Sequence, residues 1–302
     1  MNAPIAFIVY KRTDTTRRVL EKIQEARPDR LYIIADGPKN KDEHEKCNSV
    51  RKIVEEGVNW KCQVSKVYSQ INLGLAKRVQ TGLDYVFKQE EKAIILEDDT
   101  LPDPTFFTFC EELLQKYDQD ERVAHISGCN LHPEVFMGNS SYCFSSIINI
   151  WGWATWKRAW DSFDLNMSNW ADMEKESFLK EWCISRSHQK SMLKLFDLHY
   201  CNKAPWSWDY QWNFTCWSNR GLSIIPKENL VSNLGIGPNG SNTITNLKIP
   251  LYPEKIGSLE HLIHPYEIKR ARHFEKKYFA KMKPGVERKL RTFIKQLFIK
   301  FK

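Results

Sequence analysis

The stretch Ala93-Ile94-Ile95-Leu96-Glu97-Asp98-Asp99-Thr100 constrains this chain more than any other. Four uninterrupted apolar residues read as a short strand buried on both faces, the kind found inside a parallel sheet. Three carboxylates follow directly. Like charges packed this closely raise one another's pKa unless a cation neutralises them. Hard divalent cations prefer oxygen ligands, often one or two carboxylates with substrate phosphates. Ligands of open α/β sheets bind beyond the carboxyl ends of the strands. A metal and an anionic ligand are therefore expected here. The plainer alternative is a solvated acidic turn before Pro102.

Apolar runs at 5–9, 31–35, 62–68 and 123–127 predict further strands. Helical spacing at 15–26, 42–55, 75–87 and 104–117 predicts the helices between them, with Leu75, Val79, Leu83 and Val86 as one core stripe. Strands alternating with helices in this way imply a mostly parallel, doubly wound α/β sheet. Beyond residue 143 the pattern changes to a strand at 143–150, a Trp-rich block at 151–160 and helices near 170–182 and 187–200. An aromatic loop at 205–210 leads into another helix, and a late strand follows at 222–225. Residues 230–246 are rich in Gly, Asn and Ser and read as a loop, long enough to serve as a lid.

The eight cysteines contain no CxxC pair, so neither a zinc site nor a redox motif is indicated. The apolar run at 5–10 is too short for a signal-peptide core, and no stretch approaches the ~18 apolar residues of a membrane span. Free thiols in a reducing, cytoplasmic compartment are expected. The net charge of +8 is concentrated at the end: residues 267–302 hold 13 Lys/Arg against 3 Asp/Glu, which leaves the body at −2. From residue 286 onwards, apolar and basic residues separate onto two helical faces, the pattern of an interfacial helix on an anionic membrane surface. The alternative is a helix docked on the body with a solvated basic face. With no basic groove in the body, a nucleic-acid partner is not expected.

No GxGxxG or GxxxxGK[ST] is present, which excludes a dinucleotide site of the usual kind and a P-loop. Asp36 sits just past the second strand, where a carboxylate can accept from a ribose hydroxyl or a base, or simply cap a turn. Asn72, Lys77 and Arg78 open a helix whose N-terminus and cations could meet a diphosphate. A Lys-Arg pair on a helix is also common on solvated surface.

In order along the chain, PIAFIVYKR, IIADGP, NLGLAKRV, IILEDD, WGWATWKRAW and WSWDYQW resemble the GT-A fold nucleotide-sugar glycosyltransferases. The likeness is to the N-acetylglucosaminyltransferase I type and bacterial family 2-like sugar transferases, over residues 5–243. The resemblance implies one GT-A domain over 1–246, with a nucleotide-sugar half to about 128 and an acceptor half beyond it, followed by a basic extension over 247–302. It implies that Glu97-Asp98-Asp99 is a DxD-type element, with Asp99 holding Mn²⁺ or Mg²⁺ and Glu97 and Asp98 on the ribose or donor sugar. Tyr10, Arg12, Asp36, Asn72, Lys77 and Arg78 would complete the nucleotide-sugar site, with Trp151, Gly152 and Trp153 as its wall. Asp209 falls where inverting members keep their catalytic base.

Trp151, Trp153, Trp206 and Trp208 would offer ring faces to sugars and exclude water. Relatives carry Thr-His-Thr where this chain has Ser241-Asn242-Thr243, and His261 and His264 are candidates to replace that contact. The expected donor is a nucleotide diphosphate sugar, with UDP favoured. The expected acceptor is a surface-polysaccharide or lipid-linked glycan, reached by an enzyme peripheral to the inner membrane face. The rivals are a sugar nucleotidyltransferase, which usually has a glycine-rich loop where this chain has Tyr10-Lys11-Arg12-Thr13-Asp14, and a non-catalytic glycan-binding protein.

Overall fold

The computed structural model describes residues 1–201, 205–235 and 256–281. The expected lid lies largely outside these residues, as do Ser241-Asn242-Thr243 and the amphipathic segment beyond 286. The elements run β1 (Ile5–Val9), α1 (Thr13–Ala26), β2 (Arg30–Ala35), α2 (Lys41–Gly57), β3 (Gln63–Tyr68), α3 (Leu75–Phe87), β4 (Lys92–Glu97), β5 (Thr100–Pro102) and α4 (Pro104–Lys116). They continue with β6 (Val123–Ser127), β7 (Tyr142–Ser145), β8 (Trp153–Trp156), α5 (Lys157–Trp160), α6 (Lys175–Trp182), α7 (Arg186–Tyr200), α8 (Asp209–Ser218), β9 (Leu222–Pro226), β10 (Val231–Asn233) and α9 (Arg272–Lys281).

Eight strands form one sheet in the order β3-β2-β1-β4-β8-β6-β9-β7, and β5 pairs with β10 in a small second sheet. β3, β2, β1 and β4 are mutually parallel; β8 runs antiparallel to both β4 and β6, and β7 antiparallel to β9. This is a mostly parallel, Rossmann-like α/β architecture. The uninterrupted apolar runs have a direct cause, because both faces of the sheet are covered. Along β1, Ile5, Phe7 and Val9 face one layer, which is built on α1, α2 and α4. Ala6 and Ile8 face the other, built on α3, α5 and α8. Each large apolar side chain so buried contributes about 1.5–3 kcal/mol.

Several expectations need correction. The strand predicted at 143–150 ends at Ser145, and the missing strand is β8, inside the Trp-rich block. The segment beginning at residue 230 is not wholly loop, since Val231–Asn233 pairs with Thr100–Pro102. Leu75 is 41% exposed and stands outside the core stripe. Residues 256–281 pack on the body: Phe274 and Tyr278 of α9 are buried beside Val135, Ile147 and Ile225. Glu275 is fully buried and paired with Arg270 at 2.8 Å. All eight cysteines are unpaired. Among the described residues, no helix is long and apolar enough to cross a membrane.

Candidate active site

The carboxylates leave β4 in a tight turn, where the Glu97 amide donates to Thr100 Oγ1 at 2.9 Å. Asp98 is buried. Its Oδ2 accepts from the Tyr10 amide at 3.1 Å, and Arg12 Nη1 donates to its Oδ1 at 3.1 Å. The same Arg12 nitrogen pairs with Asp99 Oδ2. β1 lies beside β4 with Ile8 opposite Glu97, so the turn after β1 faces the turn after β4. Burial, then the charge of Asp99, pushes Asp98 up to about 7 despite Arg12. Burial, then Asp99 and Asp98, pushes Glu97 up to about 8, and Asp209 adds to that rise. Asp209 is thus an electrostatic neighbour of a cluster more than a hundred residues away.

The path that brings it there can be followed residue by residue. In the β4–β8 pairing Trp153 lies opposite Ile95, two residues before Glu97. Trp208 stacks on Trp153 at 5.4 Å and Trp212 packs on it at 5.6 Å. Asp209 follows Trp208 as the first residue of α8, where a helix N-terminus favours negative charge. Ser207 Oγ donates to Asp209 Oδ1.

Under this stack lies His125, fully buried in β6. Trp212 Nε1 donates to its Nδ1 at 3.1 Å, and its Nε2–H donates to the Asn149 carbonyl at 2.9 Å. That arrangement requires the neutral ring, because a proton on Nδ1 would oppose the indole N–H. Burial lowers the pKa from 6.5 to about 4. Between those values the unfolded chain binds a proton that the native state refuses. Stability is therefore intact above pH 6.5 and falls as pH drops towards 4, by about 3 kcal/mol in full. Urea midpoints should show this decline, and His125→Gln should flatten it. Equal slopes in the two proteins would refute the assignment.

On the other flank, Asp36 is buried and its oxygens accept from the amides of Gly37 (3.0 Å), Leu73 (2.9 Å) and Gly74 (3.0 Å) and from Asn72 Nδ2 (3.1 Å). Its acceptors thus serve the turn that starts α3. Asn72 Nδ2 also reaches Gly37 O at 2.7 Å and the Tyr10 hydroxyl at 3.2 Å. α3 separates the expected cation pair. Lys77 is exposed and bonds Gln80 at 3.0 Å. Arg78 is buried, its Nε has no hydrogen-bond partner, and burial holds its pKa below the ordinary arginine value.

Two residues were missed in the sequence. Glu43 accepts from Lys11 Nζ at 2.5 Å and from the Tyr10 hydroxyl, and these bonds hold its carboxyl at about 2. Asn40-x-x-Glu43 is a capping-box signature, with the Glu43 amide donating to Asn40 Oδ1 at 3.1 Å, and that spacing could have found it. Arg51 donates to the Asp36 carbonyl at 3.1 Å and the Ser69 carbonyl at 2.7 Å and stacks on Tyr68; nothing local announced it.

Of the expected tryptophan wall, Trp153 is 0% exposed and Trp208 is buried with it. Trp151 is half-buried against the core. Gly152, at φ +57, closes on Val231 of β10, and a Cβ there would meet Val231 Cγ2 at 2.8 Å. His264 is committed elsewhere, to the Tyr142 hydroxyl (2.9 Å) and Glu112 (3.1 Å). Among the described residues, no three His, Cys, Asp or Glu side chains converge as a metal cage. A hard cation held by one carboxylate and substrate phosphates needs no such cage. The all-oxygen donor set of Glu97, Asp98 and Asp99 fits one, although Asp99 Oδ2 is closely approached by Arg12 and by Gly235. Gly235 approaches so closely that a Cβ would collide with Asp99 Oδ2, and the Leu234 amide donates to the Asp99 carbonyl at 2.7 Å.

No family model matches this chain, and no curated protein matches it in sequence. Several solved structures align with parts of this chain. The mannosyltransferase PcManGT from Pyrobaculum calidifontis, in complex with GDP-Man and Mn²⁺, is 13% identical, covering 72% of this chain and 70% of that one, at a TM-score of 0.41. TarS of S. aureus is 11% identical over 55% of this chain and 30% of its own length, at 0.38. A UDP-glucose pyrophosphorylase complexed with UDP-glucose is 14% identical over 53% and 78%, at 0.32. Likeness at this level says nothing of which substrate this chain uses.

Proposed function

We propose that this protein is a metal-dependent glycosyltransferase that moves a sugar from a nucleotide diphosphate donor to a hydroxyl of a glycan acceptor. The observation that carries the reading is the pairing of Arg12 with Asp98 and Asp99 at the carboxyl end of β4, with Asp209 near enough to add to the rise of Glu97. Such a site needs an anion-binding side and a base, and the arginines and Asp209 support that reading. Arg12 and the buried Arg78 provide cations for a diphosphate. Tyr10, Asn72 and Asp36 fix the two turns that hold those arginines.

Asp209 is the general base. Ser207 occupies its Oδ1, while Oδ2 takes the proton of the attacking hydroxyl. Inversion follows if that attack is direct. Asp99, with diphosphate oxygens, would hold Mn²⁺ or Mg²⁺, which supplies Lewis-acid neutralisation of the leaving diphosphate. UDP-sugars are the first donors to try, and action on a membrane-bound acceptor remains part of the proposal.

The test is a screen of UDP- and GDP-sugars by thermal shift with and without Mn²⁺, coupled to an assay of free nucleoside diphosphate. Metal-dependent stabilisation and slow release of nucleoside diphosphate are expected. Release of inorganic pyrophosphate from a sugar phosphate and a nucleoside triphosphate would favour a nucleotidyltransferase. No response to any nucleotide sugar would favour a glycan-binding protein.

A further inference from the structure

We infer that the acceptor is presented as a terminal pyranose ring lying on Trp206, so that the acceptor class is a glycan end and not a lipid hydroxyl or a protein side chain. This rests on the glycosyltransferase reading above. Of the eleven tryptophans, Trp206 alone is exposed, at 39%; the others are buried or half-buried. An indole face left in water three residues before the proposed base is a poor core element and a good platform. A pyranose has apolar C–H faces and polar edges, so an aromatic ring covers one and nearby polar groups meet the other. Three residues span at most about 11 Å of chain, so a ring resting on Trp206 lies within reach of the Asp209 carboxylate.

The floor beneath Trp206 is polar and incompletely paired. Its ring lies 5.1 Å from that of His199, which lies 4.9 Å from Tyr210. His199 and Gln211 are 1% and 0% exposed and bond each other at 3.2 Å. His199 Nε2 and Gln211 Oε1 are left without partners. Buried polar atoms of this kind call for an ordered water, through which a sugar hydroxyl at this corner would be linked to them. Trp151, by contrast, packs against the core on the far layer of the sheet and offers no such corner.

The test uses the full chain, Mn²⁺, the donor found in the screen, and octyl glycosides of the common hexoses and N-acetylhexosamines in both anomers. Trp206→Ala is expected to raise the KM for the accepted glycoside about tenfold or more. Donor affinity and Tm, both read by thermal shift, should stay those of the wild type. Trp206→Phe should keep most of the acceptor affinity. An unchanged glycoside KM in Trp206→Ala overturns the inference. So does a wild type that binds the donor but accepts no glycoside in the panel. A wild type that binds no nucleotide sugar overturns the glycosyltransferase reading itself, which keeps the two failures distinct.

Discussion

Replacing Asp209 by asparagine should lower transfer by about 10²–10⁴-fold, the usual contribution of a positioned general base. Donor affinity should change little. The substitution keeps the shape of the side chain and its bond from Ser207, and it leaves Trp208 and Trp212 on Trp153, so α8 stays in place. What disappears is the oxygen able to hold a proton. The effect should therefore fall on kcat and leave the donor KM near its wild-type value. Serine at 209 would remove the base equally and would also shorten the side chain that accepts from Ser207. If the asparagine variant transferred sugar within tenfold of the wild type, the base would have to lie elsewhere.

Chelation of divalent metal, or Asp99→Ala, should lower donor turnover by on the order of 10²–10³-fold. Neutralising a departing diphosphate contributes several kcal/mol, and each 1.36 kcal/mol is tenfold in rate. Arg12 pairs with Asp98 and Asp99, and burial first, then the neighbouring carboxylates, holds Glu97 and Asp98 well above the usual carboxylate range despite it. That imbalance is the expected signature of a place built for more positive charge than Arg12 supplies. Isothermal titration with Mn²⁺ and the nucleoside diphosphate gives a readout independent of turnover. Equal Mn²⁺-dependent binding in wild type and Asp99→Ala would remove Asp99 from the metal's ligands.

Much of the fold up to residue 127 was legible because its strands are short apolar runs with both faces covered. The period of the helices was equally plain. β8 was not legible: Trp153–Trp156 is a four-residue strand whose partners lie about 30 and 60 residues away, and its tryptophans suggested a surface. β5 and β10, three residues each, carry no period at all. Glu97, Asp98, Asp99, Arg12 and Tyr10 lie together because adjacent parallel strands end side by side. The tasks of the tryptophans did not follow from sequence, since exposure is decided by what packs on them. Lys77 and Arg78 are neighbours in sequence, yet a helix turns them about 100° apart and only one enters the protein.

β8 has one more consequence. It is hydrogen-bonded to β4 through Lys92–Ile95 on one side and to β6 through Ile126 and Ser127 on the other. The strands β3, β2, β1 and β4 and the strands β6, β9 and β7 are thereby laced into one sheet, with no seam about which they could swing. Hinge closure of the two halves would tear main-chain hydrogen bonds from the middle of that sheet. Rearrangement on binding substrate is left to the connections at the strand ends. The span from Arg12 at the end of β1 to Asp209 at the start of α8 is then fixed when the chain folds and does not wait for a ligand to set it.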